Sequence, residues 1–529
     1  MTNTAADVTA LSRRETLTLA AALALATALP RSAAAQGTGD GQPFSFDLLT
    51  EEMRLRAAQP FVPAARPEGF LGNLDYDDYR NIRFLPERAR WVESDQPFRV
   101  HAFHTGWLFG EPVTLFDVQG GVARAMSFST TDFDYMNDLA GTVAPDQPLP
   151  GVAGFRFNYP LNHPERADEL VAFLGASYFR ALGQGNGYGL SARGIAINTG
   201  SGEPEEFPRF TRFYLEHPGP DASEAVVYAA LEGPSVTGAY RFAIRPGITT
   251  EMDVTARLFF RADVAELGVA PLTSMFLYDE KNRSAFDDYR PKVHDSNGLR
   301  LLRRDGDVLW RPLNNPPTLA NAYFTDGQPA RFGLHQRDRD FANYQDPESH
   351  YEARPSLDVE PLGDWGPGMV RLVEIPTDLE VNDNIVAFWV PEAAPRAGDA
   401  REFSYRLHWG NLDPADTAED LARVAATRTG AGGVSGVPSP EGKRKFVVDF
   451  QGAFLSALTE ADVDAITPVV TVSSGEIASQ SLEKIETADI WRLVMDIRLP
   501  EGETVELSAH LAGFDRKLTE TWLYQWVNG

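Results

Sequence analysis

Alternation of apolar and polar positions dominates the chain. Between residues 98 and 410 the runs are short and either alternate or are β-branched and aromatic throughout. They include "FRVHAFH" (98–104), "PVTLFDV" (112–118), "YRFAIRPG" (240–247), "MDVTARLFF" (252–260), "LTSMFLY" (272–278), "MVRLVEIP" (369–376), "NIVAFWVP" (384–391) and "EFSYRLHWG" (402–410). Gly, Pro, Asp and Asn punctuate them, which is the signature of strands joined by turns. The pattern predicts an all-β protein whose residues 43–412 form a large antiparallel sandwich. Beyond residue 440 come "KFVVDF" (445–450), "TPVVTVS" (467–473), "DIWRLVMDIRL" (489–499), "TVELSAHL" (504–511) and "TWLYQWV" (521–527). Five strands in about 90 residues predict a small immunoglobulin-like sandwich over 441–529.

Helical spacing is predicted at three places. Asp47 to Ala58 is a short amphipathic stretch. The second begins at Pro164, repeats Leu170, Val171, Phe173, Leu174, Tyr178 and Phe179 at helical spacing, and stops before Gly183. The third, Thr417 to Thr427, opens on a Thr-x-x-Asp cap. It leads into "TGAGGVSGVPSP" (429–440), a linker or lid composition, so 413–440 is expected to be a helix plus a flexible connector.

The N-terminus has a different texture. Arg13 and Arg14 precede an apolar Ala/Leu run that reaches Leu29 and ends in Ala33-Ala34-Ala35. That order reads as an export signal over 1–35, and the paired arginines point to the twin-arginine route. No later stretch is apolar for ~20 residues, so no membrane span is expected in the mature chain.

Composition then narrows the chemistry. The net charge is −27, and loss of the signal makes it one unit more negative. Such a surface repels nucleic acid and anionic lipid, and suits a neutral ligand such as a sugar. There is no cysteine, which excludes thiol catalysis and Cys-ligated zinc. The nine histidines form no His-x-x-x-His pair, no Gly-x-Ser-x-Gly elbow occurs, and no cofactor is expected. A helix is predicted before "GQGNGYG" (183–189) and a strand-like run after it, the reverse of a dinucleotide loop, so it reads as a turn with close backbone approach.

Acids, arginines and aromatics concentrate between 278 and 389. The turn Asp295-Ser296-Asn297-Gly298 resembles part of a calcium loop, but no acidic ligand follows at the required spacing. Asp295 is left as a turn former or a catalytic carboxylate, with calcium a weak rival. Arg290, Arg337, Arg339 and Arg354 are candidates for binding hydroxyls or for structural ion pairs. Tyr351, Trp310, Trp365, Trp389 and Trp409 are candidates for stacking on sugar rings or for core packing. Residue types alone leave a carbohydrate site and a set of salt-bridged turns both open.

Long ordered runs carry a resemblance. They include "GFLGNLDYDDYRNIRF" (69–84), "GFRFNYPLN" (154–162), "LGASYFRALGQGNGYGLSARGIAINT" (174–199), "DDYRPKVHDSNGL" (287–299), "LWRPLNNP" (309–316), "FGLHQRDRDF" (332–341) and "NDNIVAFW" (382–389). At these residues the chain is similar to the periplasmic glucan biosynthesis family OpgG/OpgD, and its twin-arginine leader looks like the OpgD branch. The resemblance implies a galactose-mutarotase-like sandwich joined to the Ig-like unit, acting on β-1,2-glucan in the periplasm; the sequence leaves monomer and homodimer both open. It implies an inverting endo-β-1,2-glucanase or a related transglycosylase, with Asp383 as general acid and Asp295 as general base. In that family protons travel through waters and a substrate hydroxyl. A raised pKa is expected at Asp383, from partial burial and acidic neighbours. A non-catalytic glucan-binding factor is the rival from another class.

Overall fold

The computed structural model describes residues 41–92, 96–325, 327–412, 421–433, 436–437 and 442–528. The predicted export signal over 1–35 lies outside the described residues. Two sheets face each other across the main core, and both are almost wholly antiparallel. One runs from Gln42–Pro43 and Val122–Ala125 through Arg209–Glu216, Val236–Arg245, Thr250–Phe260 and Ala400–Gly410 to Ser356–Leu362, Arg331–His335, Gly298–Leu302 and Val308–Pro312. The other runs from Ala320–Phe324 through Ile385–Pro391, Leu267–Ser274 and Tyr178–Ala181 to Gly154–His163 and Arg99–Phe103. Inward residues such as Phe155, Phe173, Phe242, Leu272, Leu299 and Trp389 fill the space between them. The all-β architecture is as the alternation predicts. Among the predicted helices, the first forms, over Phe46–Ala57 with Ser45 as its cap.

The second predicted helix is two strands. Arg166–Leu174 and Tyr178–Ala181 pair with each other and with their neighbours on both sides. A run of four buried apolar residues, Leu170 to Phe173, reads equally as a helix face or as a central strand. Gly175 and Ala176, both with positive φ, make the reversal that a helix cannot contain. Pro164 sits in the preceding hairpin turn, where His163 pairs with Arg166, rather than at a helix start.

The third predicted helix and the connector are also revised. Residues 413–420, 434–435 and 438–441 lie outside the described residues, but Arg423–Ala431 is a strand paired with Lys443–Gln451. It belongs to a four-stranded sheet with Ile490–Arg498 and Glu476–Ile485. That sheet packs on Thr521–Val527, Thr504–Gly513 and Ile466–Val472 around Phe446, Trp491, Leu493 and Trp522. The C-terminal sandwich thus already includes residues before 441.

Its three-stranded face continues the first large sheet, because Leu309 and Trp310 pair in parallel with Thr521 and Trp522. Arg337 reinforces this seam. Its guanidinium lies 3.5 Å above the Trp310 ring and forms two 2.7 Å bonds to buried Glu520. Glu520 also accepts the Val424 N–H at 3.0 Å. Arg337 and Trp310 are corrected on this geometry. They join the two sandwiches and have no face left for a sugar.

Candidate active site

Asp295 and Asp383 come from turns far apart in sequence, and one segment anchors both. The Asp295 N–H donates to the Met275 carbonyl at 2.8 Å. One residue on, the Phe276 N–H donates to Asn384 Oδ1 at 2.8 Å, and Asn384 Nδ2 returns a bond to the Phe276 carbonyl at 3.0 Å. Two consecutive buried residues thus hold the Asp295 backbone and the neighbour of Asp383, and Asp383 is near enough to Asp295 to act on it electrostatically. Ser274 and Ser296 hydroxyls meet at 2.9 Å and lock the Asp295 turn further.

Gly298 in that turn has an ordinary φ, so positive φ is not the reason for glycine. A Cβ there would lie 2.1 Å from the Trp310 ring. Gly298→Ala is expected to destabilise the fold by about 1–3 kcal/mol through overpacking. Urea unfolding measures it, and an unchanged midpoint contradicts the packing argument.

The electrostatics set the pair apart from ordinary surface acids. Asp295 is buried, and burial pushes its pKa up to about 6. Arg354, in direct contact with its carboxylate, pulls the other way, while Asp383 pushes up again. Asp383 is exposed to solvent but crowded by protein, and desolvation raises its pKa too. The charges opposing that rise are Arg180, Arg193 and Arg354. The expected direction at Asp383 holds, but the charges acting on it are cations. Asp383→Asn is therefore expected to lower the Asp295 pKa, and Arg354→Met to raise it, as read by ¹³C titration of the carboxyl groups.

The remaining predicted residues divide by what they touch. Arg354 lies 4.2 Å from the Tyr351 ring centroid and bonds the Ser349 carbonyl, so it is held against Asp295 from behind. Tyr351 is buried, with burial raising its pKa to about 12, and it supports Arg354 rather than offering a face to a ligand. Arg339 donates to the Glu352 and Arg354 carbonyls and secures the same turn. Arg290 bonds Asp288, Asp346 and Glu380, tying down the loop that leads to Asp383. Trp365, Trp389 and Trp409 are core residues. Trp365 packs against Trp389 and Tyr405, and Trp389 and Trp409 have no exposed surface. Their expected stacking role is corrected on burial.

Residues absent from the predicted set complete the cluster. Tyr178 and Arg180 occupy alternate positions on one strand, and Arg193 faces Tyr178 on the next. The Arg193 guanidinium lies 4.7 Å from the Tyr178 ring, and Asp383 acts on Tyr178 electrostatically. Tyr188, partly exposed, lies 5.6 Å from the Arg180 guanidinium. The glycine-rich loop borders this side. Gly187 donates to the Ala353 carbonyl at 3.0 Å, and a Cβ on Gly189 would meet Arg354 at 2.9 Å. The predicted close backbone approach is real, and its partner is the turn that presents Arg354.

A cavity of about 800 Å³ lies elsewhere, lined by Phe44, His217 and Tyr228 among others. It contains neither aspartate, and it lies near the far end of the first sheet. Two carboxyl groups with raised pKa values beside three arginines, open to solvent at Asp383, make the better site for acid–base chemistry.

Comparison with known proteins agrees over nearly the whole chain. The profile of the family described as "Periplasmic glucan biosynthesis protein, MdoG" matches residues 44–526. A Glucans biosynthesis protein G of Cereibacter sphaeroides is 62% identical over 487 residues, covering 92% of this chain and 89% of that protein. A Glucans biosynthesis protein G of Vibrio cholerae is 44% identical, over 92% of this chain and 87% of its own length. A Glucans biosynthesis protein D of Xylella fastidiosa is 43% identical, over 92% and 91%. With a match spanning both sandwiches and the aspartate turns, the chain belongs to the periplasmic glucan biosynthesis protein family, MdoG.

Proposed function

We propose that the protein cleaves β-1,2-glucan internally with inversion, using Asp383 as general acid and Asp295 as general base. Family membership gives the broader role, which is glucan biosynthesis in the periplasm. The observation that carries the mechanistic reading is that Met275 holds the Asp295 backbone, Phe276 holds Asn384 beside Asp383, and both aspartates have raised pKa values.

In the proposed reaction the proton of Asp383 reaches the glycosidic oxygen by way of water or a substrate hydroxyl as the bond from C1 breaks. A water adds to C1 from the opposite face and gives its proton to Asp295. An inverting pair needs room for that water, with carboxyl groups ~6.5–9.5 Å apart. Arg354 stabilises ionised Asp295 before the proton arrives. In the free protein burial favours the proton on Asp295. A glucan lying over exposed Asp383 would displace its water and raise its pKa further, which moves the proton to the acid.

One proton on the pair is required whichever carboxyl carries it. Above the higher of the two pKa values none remains. kcat/KM is therefore expected to fall as pH rises through about 6, the value at Asp295. An optimum on the alkaline side of neutrality would contradict the assignment.

A second reading, transglycosylation at the same site, is favoured by the biosynthetic names of the relatives. There a sugar hydroxyl replaces water. Incubation with linear β-1,2-glucan and chromatography of chain lengths tests both. Shortened chains with new reducing ends support hydrolysis, and cyclic or non-reducing products support transfer. Unchanged chains would leave only a non-catalytic glucan-binding role.

A further inference from the structure

The turn after strand Arg99–Phe103 carries an anomaly. Gly106 and Phe109 exchange backbone bonds of 3.2 and 2.8 Å, so Trp107 and Leu108 form a two-residue hairpin loop. Trp107, the first central residue, has φ +48°. A tight turn with positive φ there takes glycine by preference. A bulky residue in that conformation is a true outlier and a pointer to function.

The strain does not serve burial. Trp107 is 41% exposed, and neighbouring Tyr76 is 55% exposed. Their ring centroids are 5.1 Å apart, and Tyr79 closes the group from behind at 6.2 Å. Tyr76 itself is held by a short helix with a capping box between Asp75 and Asp78. The Trp107 N–H donates to the Leu74 carbonyl at 3.1 Å. The fold thus fixes two large aromatic faces in water.

The same hairpin borders a cavity that also touches the strand beside the aspartates. This cavity, of about 230 Å³, is lined by Leu108 and Phe109 and also by Tyr178 and Phe207. Phe207 is exposed and lies 5.5 Å from the Arg193 guanidinium. In the sheet, Arg99–Phe103 stands three strands from Tyr178–Ala181, a spacing of roughly 14 Å. The Trp107 turn follows the first of these strands, away from the strand that carries Tyr178 and Arg180.

We propose that Trp107 and Tyr76 form a distal stacking platform that grips glucosyl units of the same β-1,2-glucan, remote from the bond being cleaved. The proposal rests on the glucan reading above. The apolar C–H face of a pyranose ring matches an exposed indole, and a fixed ring spends little entropy in binding. A platform that holds ground state and transition state alike lowers KM and leaves kcat unchanged. It makes the protein prefer long chains.

The test uses Trp107→Gly, a residue the turn accepts without strain, and Trp107→Tyr. Calorimetric titration of the full chain carrying Asp383→Asn, which prevents cleavage, compares a long β-1,2-glucan with a short oligosaccharide. Trp107→Gly is expected to weaken the long chain roughly tenfold, leave the short one unchanged, and preserve or raise the thermal midpoint. Trp107→Tyr restores most of the affinity. In the otherwise unmodified protein, KM for long chains rises at constant kcat. Equal loss for both lengths, or no loss for either, overturns the platform. If the parent protein binds neither length, the glucan reading itself fails.

Discussion

Asp383→Asn is expected to abolish internal cleavage of β-1,2-glucan, with kcat lower by ~10²–10⁴-fold, the contribution of one positioned acid or base. The fold should be untouched. Asp383 is exposed, and the influences on it are desolvation and the charges of Arg180, Arg193 and Arg354. Asparagine keeps the shape and the strand entry that Asn384 anchors to Phe276. It removes only the transferable proton and one negative charge. Asp295→Asn is expected to reduce kcat comparably, and the double variant to lose little beyond either single one, because the two act as a unit. Kinetics on linear glucan together with unchanged circular dichroism would separate this from misfolding. Wild-type turnover in Asp383→Asn would remove the aspartate from the reaction.

The second large effect concerns the seam between the sandwiches. Glu520→Ala leaves Arg337 buried without its carboxylate, and Arg337→Met leaves Glu520 in the same position. Each is expected to destabilise by about 3–5 kcal/mol, the usual cost of stranding one member of a buried pair. Replacing both, as Arg337→Met with Glu520→Leu, is expected to recover most of that loss. Chemical denaturation of the four proteins measures it. Additive losses in the double variant would contradict a pairwise clamp. The seam matters for the site as well. Trp310 touches both Gly298 of the Asp295 turn and the Arg337 guanidinium, so the seam is in contact with that turn.

Strand positions were legible wherever apolar and polar residues alternated, as from 252 to 260 and from 402 to 410. The second predicted helix fails because the strand there is buried on both faces over 170–173. Leu170 to Phe173 carry no alternation, and Pro164 mimicked a helix start. That error hid Tyr178 and Arg180, whose shared face is evident only when 178–181 is a strand. The aspartates came from the family resemblance, whereas turn chemistry alone left Asp295 undecided. Tryptophans were ambiguous for a physical reason. A ring that stacks on sugar and a ring that fills a core have the same residue type, and only packing separates exposed Trp107 from buried Trp389. Arg337, Arg339 and Arg290 were drawn into the candidate site by the same limitation. An arginine near acids reads alike whether it binds a ligand or secures a loop.

The most direct measurement is the anomeric configuration of the end created by cleavage. Proton NMR of linear β-1,2-glucan in the first minutes after adding the protein resolves it before mutarotation. The expected result is a nascent α-anomer, appearing with internal shortening of the chains and absent with Asp383→Asn. A nascent β-anomer, or no new end at all, would contradict an inverting reaction at Asp383 and Asp295.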